Sequence, residues 1–430
     1  MKSLIRHSFL AIALFAAVCC SSPVVDRSSL SYETNETDSL WQYRSILRPY
    51  HFEKVVDTPA PAGYEPFYIA HYGRHGSRYV ERETSYQAMV KPLEDAHSKG
   101  LLTQEGERLL SDIHAYGRIS DGMYGQISEL GAFEHRMLAD RMAARFEKVF
   151  TQNGASHVGC VPSQYSRCEI SMAYFLLELK DNFPRLDFYM VAGDKYNRYI
   201  NNAFQVGPIN EATLQNTKDE MKERFDLDRF SSMVFTNPKK AQRRYNLYDV
   251  CEQLFVAGAI HECLPEGCPD LFQWLSPEEI RLQYSFMNNR LYARHCNSNE
   301  FRAQRQPQCY GLVCDILDKA DAAIEGNGTV ADLRFGHDAA LMVLMSIILG
   351  ENYSAYGPWV NSVELWSSAE MIPMASNLQM VLYRKGSSDD LLVKVLWNEK
   401  EYEVPGLEAV KGPYYRWDDF EARLNGIIGR

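Results

Sequence analysis

Three clusters of residues in this chain have the types and spacing for one kind of chemistry. FYIAHYGRHGSRY (67–79) carries Arg74, His75 and Arg78 behind a short apolar run, with glycines at 73 and 76. SQYSRCEIS (163–171) contributes Arg167, and RFGHD (334–338) contributes His337 and Asp338. Each cluster follows a segment with strand character, and in open α/β sheets ligands lie beyond the carboxyl ends of the strands. Brought to one rim, the loops surround a histidine with three guanidinium groups. Their forked donors match phosphoryl oxygens, and phosphoryl transfer needs chiefly positioning and charge stabilisation. His75 as a neutral imidazole can attack phosphorus and hold the group covalently. Asp338 can protonate the leaving alkoxide and later activate water. Arg74, Arg78, Arg167 and His337 then form the oxygen clamp. Gly73 and Gly76 are expected to let the backbone approach the ligand and adopt positive φ.

No metal or other cofactor is expected, because the arginines supply the positive charge. His71 and His75 have the spacing of a helical zinc pair, but the glycines argue against a helix there and leave His71 a structural role. Ordinary readings stand beside the chemical ones. A basic loop after a strand is commonly a solvated turn, Asp338 could cap the helix that follows it, and His135 suits a satisfied histidine on an amphipathic helix. Lys239, Lys240, Arg243 and Arg244 form either a solvated helix face or, if that face overhangs the site, contacts for additional phosphates.

The elements that must position these residues read as an α/β domain with helices on both faces of its sheet. Strands are expected at 67–71, 157–163, 186–192 and 331–336, with a closing hairpin LQMVLYRK–LLVKVLWN turning at Gly386 and Ser387. Leu130, Phe133, Met137, Met142 and Phe146 recur at helical spacing. Residues 63–192 and 326–430 are assigned to this core. The span 193–325 has charged amphipathic helices, with caps at Asn237 and Ser276, and no clear strand, so it reads as an inserted helical cap.

The N-terminus has Lys2 and Arg6, then an apolar run from Phe9 to Val18, then Cys19 and Cys20. That run is too short to span a bilayer but suits a secretory leader over 1–20. The cysteines resemble a loose bacterial lipobox, so a lipid anchor is the one membrane contact expected, in the periplasm or at the outer membrane. A tether and surface arm over 21–62 would follow. In such a compartment the eight remaining cysteines are expected to form disulfides. The formal charge of −11, two units more negative without the leader, excludes general binding to nucleic acid or anionic membrane. It leaves room for a small anion in a locally basic pocket.

RHGSR resembles the R-H-G-x-R signature of the histidine phosphatase superfamily, in its acid phosphatase and phytase branch. ISELGAFEHRMLADRMAARF, SRCEISMAYFLLEL and FGHDAAL are similar to that branch's other motifs and come in the same order. The resemblance covers about 67–182 and 330–400. It implies a phosphohistidine at His75, a clamp of Arg74, Arg78, Arg167 and His337, proton donation by Asp338, and an α/β core with an α-helical cap. RYV after the signature is closer to the multiple inositol polyphosphate phosphatases, whereas the His-Asp pair departs from their usual His-Ala-Glu. An exported phosphomonoesterase with a phytate-like substrate is therefore expected. The alternatives are a broad acid or sugar phosphatase, or a lipoprotein that binds a phosphate ligand without turnover.

Overall fold

The computed structural model describes residues 40–430 apart from 153–156, 202–210, 327, 351–356, 359, 361 and 388, with backbone alone over 211–216. The expected leader, with Cys19 and Cys20, lies outside the described residues. Tyr64–Arg74 form β1, in which Tyr68, Ala70 and Tyr72 alternate with Ile69 and His71. Both sets are buried, in separate apolar clusters on the two sides of the sheet. A strand covered on both faces belongs in the middle of a sheet. β1 accordingly pairs parallel with β4 (Ala331–Gly336) and antiparallel with β5 (Asn377–Lys385).

The described strands form one mixed sheet in the order β3-β2-β4-β1-β5-β6-β9-β8. β2 (His157–Pro162) and β3 (Asp187–Met190) extend its parallel half. β6 (Leu391–Trp397) completes the expected hairpin with β5, a short β7 (Lys400–Glu401) pairs with β6, and β8 (Ala409–Lys411) and β9 (Tyr414–Arg416) close the antiparallel edge. The architecture is α/β, as the strand pattern implies.

The helices before β3 are α1 (Glu83–Ser98), α2 (Gln104–Ser120), α3 (Glu129–Arg145) and α4 (Ser166–Asn182). Between β3 and β4 come α5 (Asp194–Ile200), α6 (Glu211–Arg224), α7 (Leu227–Val234), α8 (Pro238–Arg244), α9 (Leu247–Ala259), α10 (Pro277–His295) and α11 (Tyr310–Ile324). α12 (Asp338–Ile348) follows β4, and α13 (Trp417–Ile428) ends the chain. Asn237 caps α8 and Ser276 caps α10 through a reciprocal capping box, as their positions suggest.

The apolar clusters cut across the division of the sequence into core and insert. α1 and α2 bury Met89, Leu93, Leu109 and Ile113 against Phe230, Val234, Leu254 and Phe255 of the inserted helices. α11, at the end of the insert, packs Leu312, Ile316 and Leu317 with Tyr68 and Tyr72 of β1.

Two expectations are corrected. The segment before β1 is not a surface arm throughout, since Arg44, Ser45, Leu47 and Tyr50 are buried, Arg44 against Gly258 and Phe272, Ser45 against Ser368 and Tyr50 beside Glu134. No disulfide joins the eight cysteines among the described residues. Seven of them divide among three apolar clusters as small hydrophobic side chains, and Cys314 is half-buried outside those clusters. Burial pushes the thiols of Cys168, Cys263 and Cys268 up to about 12. No described helix is long and apolar enough to cross a membrane.

Candidate active site

β1 ends at Arg74, and residues 75–79 turn across the carboxyl ends of β1 and β4. The His75 amide donates to Gly336 O (3.0 Å), the Gly76 amide to Ser171 Oγ (3.1 Å), and the Tyr79 amide to Gln126 O (3.0 Å). Ser128 N–H donates back to Ser77 O at 2.9 Å. The loop thus lies on the first turn of α3 with its amides turned into the protein, which leaves side chains to hold an anion.

This corrects the expected role of the glycines. Neither Gly73 nor Gly76 has positive φ. A Cβ on Gly76 would stand 2.6 Å from Gly131 O and 2.8 Å from Gly131 Cα, and one on Gly73 would meet the His71 ring at 2.7 Å. The glycines allow close packing of the loop, not approach to a ligand.

The His75 ring is buried, and its Nδ1–H donates to Gly76 O at 2.9 Å. That bond selects the tautomer and leaves Nε2 with the lone pair a nucleophile needs. Burial, then Arg74, Arg167, Arg78 and His337, hold its pKa well below the ordinary histidine value. The His337 ring centroid lies 5.7 Å from that of His75, at 71°. His337 Nε2 bonds Ser163 Oγ at 2.9 Å, and burial followed by Arg167 lowers its pKa to about 3. Burial and the surrounding guanidiniums thus favour the neutral form of both imidazoles.

The three arginines reach the site from different elements. Arg74 donates through Nη1 to Ile46 O (2.5 Å) and Ile372 O (3.0 Å), while Nη2 lies 3.1 Å from Asp338 Oδ2. Arg78 donates to Tyr79 O at 2.8 Å. Arg167, in the first turn of α4, stacks on Tyr165 at 4.6 Å and has Glu81 at 3.8 Å. Burial and then Arg167 and Arg74 lower the Arg78 pKa to about 10. The Nε atoms of all three are buried without a hydrogen-bond partner. Clustered, desolvated cations with unused donors make a site built for an anion.

Asp338 is the first residue of α12, and His337 occupies the cap position. Asp338 is therefore not the N-cap residue, but its Oδ1 accepts from the Ala339 amide at 2.8 Å, so one oxygen serves the helix end while Oδ2 faces Arg74. Burial alone would raise its carboxyl, but Arg74 and His337 outweigh that and hold it below the usual range.

Arg74, His75, Arg78, Arg167, His337 and Asp338 thus converge. Lys239, Lys240, Arg243 and Arg244 do not join them. Arg244 pairs with Asp95 at 3.0 Å, which lies twelve residues along α1 from Glu83, or about 18 Å of helix, away from Glu81 at the rim. His71 packs its ring against Phe175 and Phe335 beneath the site. His135 is buried beside Phe335 on the same side.

Several residues behind the site escaped sequence reasoning. The buried stripe of α3 is Leu130, Gly131, Glu134, His135, Leu138, Ala139 and Met142. Phe133 and Met137, assigned to it from spacing, are only half-buried, because the loop after β1 sits on the face that carries Glu134. A charge in the middle of an apolar stripe was the available signal. Ser163, Ser171 and the Ile46 carbonyl offered none, since short polar residues and backbone atoms carry no pattern.

Comparison with family models and with curated proteins found no match to this chain. Solved structures do match. The multiple inositol polyphosphate phosphatase of Bifidobacterium longum, in complex with inositol hexasulfate, superposes with a TM-score of 0.74 over 89% of this chain and 97% of that one, at 19% identity. The same enzyme with phosphate gives 0.72 over 90% and 98%, at 18% identity. The phytase from D. castellii gives 0.62 over 93% and 88%, at 14% identity. The chain has the fold of these phosphatases. At such identities the likeness concerns the path of the backbone, and the activity must be argued from the side chains.

Proposed function

We propose that this chain is a phosphomonoester hydrolase that works through a phosphohistidine at His75, with an inositol polyphosphate as preferred substrate. The observation that carries the reading is the convergence of a tautomer-fixed neutral imidazole, three guanidiniums with unused Nε donors, and an aspartate paired to one of them. The fold shared with an inositol polyphosphate phosphatase supports the substrate class.

In the proposed reaction Arg74, Arg78, Arg167 and His337 take the oxygens of the scissile phosphate. His75 Nε2 attacks phosphorus in line, forming the P–N bond as the P–O bond to the alcohol breaks. The departing alkoxide takes its proton from Asp338. In the empty site Arg74 holds that carboxyl low, but a phosphate dianion seated on Arg74 offsets the guanidinium charge and raises Asp338 towards its protonated form. Asp338, now ionised, removes a proton from water, which cleaves the P–N bond and releases phosphate. The guanidiniums stabilise charge on the equatorial oxygens throughout, so the reaction as drawn needs no metal. We also propose export, with Cys19 or Cys20 as the lipidated residue. Radiolabelled palmitate incorporated by the full-length chain and lost on replacing both cysteines would support it.

The test is phosphate release by the mature protein in excess EDTA, beside His75→Ala. Inositol hexakisphosphate and an aryl phosphate are compared as substrates. Activity that survives chelation, disappears in the variant and favours the inositol phosphate is expected. Tight phosphate binding with no release from either substrate would overturn the reading.

A further inference from the structure

The catalytic loop contains one peptide unit held at both ends. Its carbonyl, Gly76 O, accepts from His75 Nδ1 at 2.9 Å. Its amide, Ser77 N–H, donates to Glu134 Oε2 at 2.6 Å. The peptide is planar and trans, so its C=O and N–H point in opposite directions and turning one turns the other. The Glu134 carboxylate and the His75 ring are therefore the two ends of one line: carboxylate, amide, carbonyl, imidazole.

We infer that Glu134 is a positioning residue that orients and polarises the nucleophile through the Gly76–Ser77 peptide. Its other contacts suit the role. Oε1 accepts from Ser77 Oγ at 2.8 Å and from the Tyr50 amide at 2.8 Å, so the two oxygens serve three donors. Glu134 is fully buried and makes no ion pair among the described residues. A buried carboxylate without a paired cation is costly, and an apolar side chain in its place would leave three donors unpaired. Burial raises its carboxyl to about 7 against the Ser77 and Tyr50 donors that pull it down, so above that pH what it adds over a neutral acceptor is charge. A carboxylate on the amide draws the N–H proton and makes the carbonyl at the other end a stronger acceptor. That carbonyl holds Nδ1–H, fixes the tautomer, and stabilises the positive charge the ring acquires when Nε2 bonds phosphorus.

The same carboxylate ties the N-terminal segment into the site. The Tyr50 amide bonds Glu134, and four residues earlier the Ile46 carbonyl receives Arg74 Nη1. The loop amide of the nucleophile and the segment that steadies the first clamp arginine thus share one acceptor.

This inference rests on the phosphatase reading for its kinetic test but has a second readout that does not. Glu134→Gln keeps the shape and removes the charge, and Glu134→Ala removes the acceptor. Loss of alignment at a nucleophile is expected to lower kcat about 100-fold in the alanine variant and about 10-fold in the glutamine variant. Inhibition by inorganic phosphate should move less than about threefold in Glu134→Gln, which keeps the Tyr50 contact, because Arg167 and His337 are set by other elements. A purely structural role would lower the melting temperature and leave kcat per folded molecule unchanged. The independent readout is the ring ¹⁵N and Nδ1–H spectrum of His75 in the unliganded protein. In wild type a slowly exchanging Nδ1–H is expected, shifted upfield in Glu134→Gln and exchanging rapidly in Glu134→Ala. Unchanged His75 resonances in both folded variants would overturn the inference, whether or not the wild type releases phosphate. Wild-type inactivity with the expected spectral change would remove the phosphatase reading alone.

Discussion

Arg74 Nη2 stands 3.1 Å from Asp338 Oδ2 and joins the end of β1 to the start of α12. The guanidinium therefore holds the carboxyl of the proposed proton donor below its usual range. Asp338→Asn should lower turnover of an inositol phosphate by about 10²–10⁴-fold, the usual worth of a positioned general acid. Formation of the phosphoenzyme from p-nitrophenyl phosphate should fall far less, because its leaving group needs no proton. Rapid-quench measurement of the burst with both substrates checks this, and equal losses would remove Asp338 from the donor role.

Acid should destabilise the fold in a defined window. Burial lowers His71, His135, His295 and His337 to about 3. Each folded pKa lies below the unfolded value of about 6.5, so the unfolded chain binds more protons between those limits. Stability from these groups is complete above pH 6.5 and declines as pH falls towards 3, by up to about 1.4 kcal/mol per pH unit for each histidine. Urea unfolding between pH 7 and 4.5 should show this slope, and His71→Asn should reduce it by one proton.

Gly76→Ala should be costly although the backbone there is ordinary. The added methyl would meet Gly131 O and Cα, both backbone atoms that cannot rotate away. Overpacking of this kind costs about 1–3 kcal/mol, and lifting the loop off α3 would displace His75 as well. A shifted urea midpoint together with reduced kcat is the expected pair of results.

Neutralising the exposed basic run should leave catalysis alone. Lys239→Gln, Lys240→Gln and Arg243→Gln alter α8, on the α1 end remote from Glu81. KM for inositol hexakisphosphate should change less than about twofold at physiological ionic strength, where screening acts over about 8 Å. A tenfold rise would bring this face back to the substrate.

The groups proposed to react, the strands that carry them and the α/β class are all legible in the residues alone. Strand alternation and strand-end loops are local patterns, and Arg74, His75, Arg167, His337 and Asp338 each stand immediately after a recognisable strand or at the helix start beyond it. Asn237 and Ser276 were equally legible, because a cap is decided within four residues. What holds those groups in place comes from contacts between distant parts of the chain. Gly76 is glycine because of Gly131, fifty-five residues away, and Glu134 is buried because the nucleophile loop lies across α3. The placement of the Ile46 carbonyl on Arg74 and of seven cysteines in three separate cores likewise depends on segments meeting from distant parts of the chain. Residue types and spacing along a strand or helix are written locally. The acceptor for a buried donor, and the space left for a side chain, are set by whichever element packs against it.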